Sequence, residues 1–511
     1  MPPQDQAHQH QSIPALSPEN VELAHLRKAQ EPDPNHEDLP GTSWDEDNIV
    51  VGWDGDDDPE HPYNAPRWRI YVNAILLSIL GFLVPLSSAI VAPATGQVMA
   101  EFNTTSDLLE AFVVSVFVLA LAFGPLIWAP LSEIYGRLYI YHGTNLGFIL
   151  FTVACALAPS LSSLIGFRFV AGFFGSCIIA NGAGSFTDMM PPQRRGVFMS
   201  LYILGPILGP IIGPVGGGFL SAAIGWRWVF WLVAILAGFV AVAMLAFTQE
   251  TYAPAILQHR VNCLRRETGN NRLLAKNQKD LSAWAILRHG IVRPMKLLVL
   301  SPISLICSLY MAIVYGILNL LFTSISQVYQ ENYNFAPNIS GLAFLGLGIG
   351  SFIGMTIVSI ISDRYVASRT KRHGGERKPE YRIALQPIGA VLMPAGLFIY
   401  GWTAQHKIHW IVPILGEGVT GLGLMMIFFS TILYIVDSFT IYAASALAVN
   451  GFIRSVGGGL LPLAGLTLYS KLGVGWGNSV LGFIALAILP VSLLLIRYGE
   501  YLRTRFPIRS L

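Results

Sequence analysis

Apolar positions in this chain come in long blocks rather than in an alternating pattern. From about Arg69 onward, apolar runs at 70–93, 108–131, 139–159, 162–187, 197–221, 226–247, 297–328, 338–362, 383–402, 409–436, 441–470 and 474–496 are divided by short polar breaks. Each run approaches or exceeds the roughly 20 residues that a helix needs to span a bilayer core. Twelve such runs in succession exclude the buried helices of a water-soluble protein. The pattern predicts an all-α integral membrane protein with twelve transmembrane helices in two six-helix bundles, numbered helices 1–12 in chain order.

One run breaks its own rules. "GPILGPIIGPVGGG" (205–218), in helix 5, places Pro206, Pro210 and Pro214 four residues apart among six glycines. Each internal proline removes a backbone hydrogen bond, and glycines leave room for a neighbouring helix at backbone distance. Composition agrees with the membrane reading. Of 511 residues, 53% are apolar and only 12% charged, about half the charged share of a soluble domain. Cys155, Cys177, Cys263 and Cys307 show neither disulfide nor zinc spacing.

Charge is distributed unevenly. Half of the 30 acids fall in residues 1–66, a polar stretch without helical period that reads as a disordered acidic cytosolic N-terminal tail. It lacks the basic start and apolar core of a secretory signal. With both termini cytoplasmic, segments flanking the helices on the inside hold 25 of the 32 Lys and Arg residues, against three outside (Arg227, Lys407 and Lys471). That asymmetry follows the positive-inside rule. The two N-x-S/T sequons, at Asn103 and Asn338, both fall in outer loops, where they are candidate glycosylation sites.

The expected organisation is therefore the tail at 1–66, an N-terminal six-helix bundle at 67–247, a basic cytosolic central loop at 248–296, a C-terminal six-helix bundle at 297–496 and a cytosolic C-terminal tail at 497–511. A weak repeat links the halves. "PLSEIYGR" (130–137) ends helix 2 and "IISDRY" (360–365) ends helix 8, each setting Ser and an acid at the inner face. Six-helix repeats of this kind place a substrate site near the midplane between the halves.

"APLSEIYGR" after helix 2, within a six-loop-six chain, resembles the signature of the major facilitator superfamily, with Glu133 at its acid position followed by Gly136 and Arg137. Ile134 replaces the usual basic residue after the acid. "LIGFRFVAGFFG" in helix 4 resembles the superfamily's buried-arginine motif through Arg168, Gly172 and Gly175. Gly209-x-x-x-Gly213-Pro214-x-x-Gly217-Gly218 is similar to the helix 5 motif of its antiporters. It implies a bent helix that seals the outer half between the bundles; the plain alternative is a packing seam. "GWRWVFW" (225–231), "QETYAPAIL" (249–257), "LRRETGNNRLLAK" (264–276), "SLYMAIVYGILNLLFT" (308–323), "YIVDSFTIYAASALAVNGFIRS" (434–455) and "VGWDGDDDPEHPYNAPRWR" (51–69) resemble the fungal twelve-helix drug:proton antiporters, among them exporters of toxins and secondary metabolites.

That resemblance implies a proton-coupled antiporter exporting amphipathic small organic molecules by alternating access, at the cell membrane or at a vacuolar or other internal membrane. A proton-coupled uptake symporter of the same fold is the alternative, and it would lack the helix 5 motif. The chain carries no phosphate loop or nucleophile elbow, so it reads as no enzyme. It is expected to need no cofactor or metal beyond the proton gradient, to act as a monomer in the bilayer and to bind no nucleic acid.

Four charged residues fall within or at the ends of membrane runs. Arg168 lies roughly 9 Å below the outer boundary at 1.5 Å per residue. The resemblance implies a part in proton coupling; bonding helix-end carbonyls is the alternative. Glu417 and Arg454 sit at similar depths in helices 10 and 11, and the Asn450–Arg454 step of four shares one face. They are expected to pair, as a coupling element or as a static ion pair. Glu110, at the outer end of helix 2, is a further coupling candidate. At the inner face Glu133, Arg137, Asp188 and Arg195, with Asp363 and Arg364 of the second half, form a candidate gate unless they remain solvated loop charges. Asn181, Tyr310, Tyr315, Asn319 and Asn450, with Ser87 and Ser88, are candidate cavity residues for an amphipathic ligand.

Overall fold

The computed structural model describes residues 49–506, apart from Asp56, 277–281, His373 and Glu376, and excludes the side chains of Ile49, 192–197 and Ile441. Residues 1–48 of the predicted tail, the chain end from 507 and the Arg195 side chain lie outside the described residues. The chain forms two compact units, one of residues up to Ala65 with Tyr252–Asp280, the other of Pro66–Thr251 and Leu281 onward.

In the small unit, β1 (Ile49–Val51) pairs in parallel with β2 (Leu273–Ala275). The helix Ala253–Thr268 lays Leu257, Val261 and Leu264, spaced four and three apart, against Val51, Trp53, Leu273 and Ala275. Gly269, at φ 68°, ends that helix in the left-handed conformation. Thus residues 49–65, read as part of an unstructured tail, carry a strand and a turn. Their partner lies more than 200 residues away, where local composition cannot reveal it.

Asp58 organises the turn. Its carboxylate accepts the backbone N–H of Asp54 (2.9 Å) and Glu60 (2.8 Å) and the Arg260 guanidinium (3.0 Å). Burial opposes ionisation of Asp58, but these three donors outweigh it and hold the carboxyl below its ordinary 3.8. A depressed folded-state pKa contributes stability that is complete above the unfolded value and is lost as pH falls through the folded one. Amide-exchange protection of Ala253–Thr268 should therefore hold at neutral pH and fall below about 3.8. Asp58→Asn should lower it by about 1–3 kcal/mol at neutral pH and remove the acid-dependent drop.

The large unit holds the membrane helices: α1 (Arg67–Ala89), α2 (Asp107–Tyr135), α3 (Arg137–Ala156), α4 (Leu161–Met189), α5 (Pro192–Ile224), α6 (Arg227–Phe247), α7 (Pro302–Tyr333), α8 (Phe344–Arg372), α9 (Gln386–Gln405) and α10 (Ile411–Phe439). An apolar stretch, Ala443–Arg505, follows and counts as the last of eleven stretches able to cross a membrane among the described residues. Its 63 residues would extend about 95 Å as one helix, three times the hydrocarbon core. Gly473, at φ 77° and ψ 165°, breaks it. Gly477 consequently sits against the Tyr469 ring eight residues earlier, and Tyr469 donates to Asn478 Oδ1 at 3.0 Å. We label the arms α11 (443–472) and α12 (474–505), giving twelve membrane helices.

Local chemistry sets the ends. Ser106 caps α2, Ser160 and Ser163 form a capping box on α4, and Ser301 caps α7 ahead of Pro302. Asn334, in the left-handed region, ends α7. Below, the "upper" side carries the α1–α2, α5–α6 and α7–α8 connections, and the "lower" side carries α2–α3, α4–α5, α8–α9 and α10–α11.

Candidate functional site

On the lower side, Gly136 (φ 91°) turns α2 directly into α3, so that Arg137 opens α3 beside the end of α4. Its Nε donates to Asp188 Oδ2 at 3.1 Å. Its Nη1 donates to Ser132 Oγ at 2.7 Å and to Asn181 Oδ1 at 3.2 Å. Asn181, Gly184 and Asp188 fall on one face of α4 at steps of three and four, and the guanidinium lies over Gly184, where an added Cβ would come within 3.0 Å. Asn181, a cavity candidate by residue type, is thus held in this lower-side network by Ser132 and Arg137. Glu250 accepts the N–H groups of Arg137 and Leu138, both at 3.0 Å, which neutralises the positive N-terminus of α3. Glu133 lies exposed at the rim.

The second half repeats this arrangement. Arg382, at the entry to α9, donates through Nε to Asp437 Oδ2 at 3.0 Å and through Nη1 to Ser362 Oγ at 3.2 Å. It also pairs with Asp363, and Arg377 adds a second bond to Asp437 at 3.0 Å. Ser132, Arg137 and Asp188 thereby correspond to Ser362, Arg382 and Asp437. The Ser-acid repeat was legible in sequence, but Arg382, Asp437 and Glu250 were missed. Arg364, the expected gate cation, is exposed and forms no ion pair among the described residues. Arg382→Ala should accordingly cost about 1–3 kcal/mol of stability in a thermal unfolding series, and Arg364→Ala less than about 0.5 kcal/mol.

On the upper side, α5 presents two faces. Gly205, Gly209, Gly213 and Gly217, four apart, lie on the α1 backbone: a Cβ at these positions would meet Phe82 N at 2.9 Å, Leu86 N at 2.7 Å, Leu86 O at 3.0 Å and Ile90 O at 1.9 Å. The other face meets the second bundle. A Cβ on Gly218 would fall 2.6 Å from Pro337 O, one on Gly341 2.4 Å from Pro214 O, and one on Gly348 2.5 Å from Ile211. The helix 5 motif is thus pressed between α1 and the entry to α8, joining the two bundles on this side.

Within the membrane, Arg168 is 1% exposed. Its guanidinium donates to Ser88 O at 3.0 Å and to Ser87 O and Val114 O at 3.5 Å. It also lies 5.5–5.6 Å from the ring centres of Phe117 and Phe230. Ser87 and Ser88 stand in the last turn of α1, whose carbonyls lack helical partners, and they meet the arginine through backbone oxygens. Glu110 accepts from Thr95 Oγ1 at 2.8 Å.

Glu417 and Arg454 are not brought together. The Arg454 guanidinium lies over Tyr315 and Phe428, 4.9 and 5.0 Å from their ring centres. Phe428 is eleven residues along α10 from Glu417, roughly 16 Å. Glu417 is fully buried, with no close hydrogen-bond partner for either carboxyl oxygen and the Tyr329 hydroxyl in longer, weaker contact. The similar depths expected from residue counting are therefore not found: the Arg454 guanidinium meets α10 eleven residues further along than Glu417. The remaining polar candidates pack between helices. Asn319 Nδ2 donates to Tyr315 O at 2.8 Å, and both residues crowd Gly458 of α11. Asn450 donates to Cys307 O at 3.5 Å, and Tyr310 accepts from Ser492 at 3.2 Å. Asn103 is exposed at φ 50°, whereas Asn338 is half-buried with its backbone against Gly218.

Residues 77–462 match the family model described as Major Facilitator Superfamily. The MFS-type transporter penM of Penicillium rubens is 47% identical over 461 residues, which cover 90% of each chain. The efflux pump radE of Floropilus chiversii is 45% identical, over 91% of this chain and 87% of that one. Among solved structures, a D-xylose-proton symporter superposes with a TM-score of 0.62 at 15% identity, over 82% of this chain and 97% of its own; it shares the fold. With its twelve helices and repeated lower-side network, the chain belongs to the Major Facilitator Superfamily, a family of transporters rather than enzymes, and is a multi-pass membrane protein that moves a small molecule.

Proposed function

We propose that this protein is a proton-coupled antiporter that exports amphipathic small organic molecules, such as secondary metabolites, by alternating access. The observation that carries this reading is α5, whose antiporter-like glycine-proline motif supports a seal between the bundles on the upper side. Relatives named as MFS-type transporters and as an efflux pump support export. The Lys/Arg asymmetry favours a cytosolic lower side, with both termini there; the membrane is the cell membrane or, alternatively, a vacuolar or other internal one. Proton binding from the upper side and substrate binding from the lower side would favour different states, and the drive is that differential affinity. No cofactor enters the cycle.

In sealed vesicles with an imposed proton gradient, a panel of amphipathic compounds should move against the proton flow, and collapsing the gradient should stop the movement. Movement in the direction of the protons would make the protein an uptake symporter and α5 a packing seam. Orientation has its own test. An N-glycan on exposed Asn103 should be lost in Asn103→Gln and unaffected by Asn338→Gln. A chain left unglycosylated at Asn103 in a competent host would put the upper side in the cytosol.

A further inference from the structure

We propose that Glu417 is the acid that carries the coupling proton, and that Tyr333 and Tyr329 line its approach from the upper side. This rests on the proton-coupled reading above. Glu417 stands in the second turn of α10, held close to α9 because a Cβ on Gly416 would meet Tyr400 N at 2.6 Å. Three polar groups from three helices meet here. The hydroxyls of Tyr329 (α7) and Tyr400 (α9) and both oxygens of Glu417 (α10) are buried without a close hydrogen-bond partner, and the Tyr329 hydroxyl reaches the carboxyl in a longer, weaker hydrogen bond. Tyr329, Tyr400 and, from α11, Tyr469 all interact electrostatically with the carboxyl. Among the described residues no Lys, Arg or His faces it from any packed helix. α8 packs against this stretch of α10 through Gly346 on Ile414 O and Gly350 on Gly418 O, with Leu347 and Ser351 against Gly421, none of them charged.

An isolated carboxylate in such a place is too costly to persist, and the group neutralises instead. With no cation to pair it, the only economical counter-charge is a proton. Protonation also changes the hydrogen-bond arithmetic, since a carboxylic acid donates one bond while its other oxygen still accepts. In the uptake step a hydronium ion on the upper side gives up one proton and becomes water, the carboxylate becomes the acid, and nothing is oxidised. Release on the lower side restores the carboxylate.

The tyrosines supply direction. The Tyr329 ring stacks on Tyr333 at 5.5 Å. Tyr333 is half-buried at the upper end of α7, and its hydroxyl donates to Ile408 O at 2.7 Å beside solvent. The stack thus joins the upper surface to the buried acid, and Asn334 and Gly473 end α7 and α11 on the same side. In this view Arg454 takes no part in the proton step, since its partners are the rings of Tyr315 and Phe428.

The test is difference infrared spectroscopy of the full chain in lipid vesicles, acidic minus alkaline. Wild type should show a carboxylic-acid carbonyl band that grows with acidification. Glu417→Gln should lose it, Glu417→Asp should keep it at a shifted frequency, and Arg454→Gln should leave it unchanged. A band that survives in Glu417→Gln, or that fails to titrate in wild type, would overturn the assignment. Should Glu417→Gln not fold, the shifted band of Glu417→Asp carries the assignment alone, and an unshifted band there overturns it. The exporter reading fails separately: a titrating Glu417 in vesicles that move nothing against protons sinks the antiporter and leaves the acid assigned.

Discussion

Gly217→Ala is expected to abolish gradient-driven transport and lower thermal stability, while Gly216→Ala, one residue away, leaves both near wild type. A Cβ at Gly217 would stand 1.9 Å from Ile90 O, with the Ile90 carbonyl carbon at 2.9 Å. These are backbone atoms at the end of α1, so no rotamer change relieves the clash and the helices must separate. Around Gly216 nothing lies within 4 Å. Overpacking a tight seam costs about 1–3 kcal/mol, and displacement of backbone puts this position at the upper end. The two variants add the same methyl group to the same helix, so propensity and hydrophobicity cancel. Thermal unfolding in detergent and accumulation in sealed vesicles read the difference. Equal behaviour of the pair would mean that α1 and α5 do not meet at this seam.

The same seam shows how far sequence reasoning reaches. Apolar runs counted twelve helices because span length is a one-dimensional property. The four-residue period of Gly205, Gly209, Gly213 and Gly217 is also visible along the chain, since positions four apart share a helix face. What that face meets is not. Gly218 lies one residue off the period and touches the other bundle, a distinction that needs the position of α8. The lower side makes the same point. Likeness to Ser132 and Glu133 identifies Ser362 and Asp363, and points next door, to Arg364, for the cation. It is Arg382, because α9 enters beside the ends of α8 and α10. The step of three and four through Asn181, Gly184 and Asp188 was a usable signal that residue type obscured.

The small unit was the least legible part. Asp54, Asp58 and Glu60 read as members of an acidic run, and Arg260 as one of nine basic residues in a loop. Their pairing turns two apparently solvated charge runs into a single folded element. Charge runs of opposite sign far apart in sequence are therefore better tested against each other than read singly.

Arg168→Met is expected to destabilise the protein by about 2–5 kcal/mol, with Arg168→Lys intermediate. The guanidinium spans three carbonyls from two helices, and methionine fills the volume with no donor. The helix-end carbonyls of Ser87 and Ser88 would be orphaned, each at about 1–3 kcal/mol, whereas Val114 O, inside α2, keeps its helical bond; relief of a desolvated cation offsets part of the loss. Lysine keeps the charge but concentrates its donors on one atom, too compact to reach Ser88 O and Val114 O while lying against Phe117 and Phe230. No carboxylate bonds to Arg168 among the described residues, so the clamp is between a cation and the carbonyl end of α1, where the helix dipole favours positive charge. A clamp and a coupling residue leave different traces. If Arg168 acts only by holding α1 to α4, Arg168→Lys lowers the unfolding temperature while the pH profile of transport keeps its midpoint. A displaced midpoint in Arg168→Lys would instead place the arginine in the proton step, alongside the acid of α10.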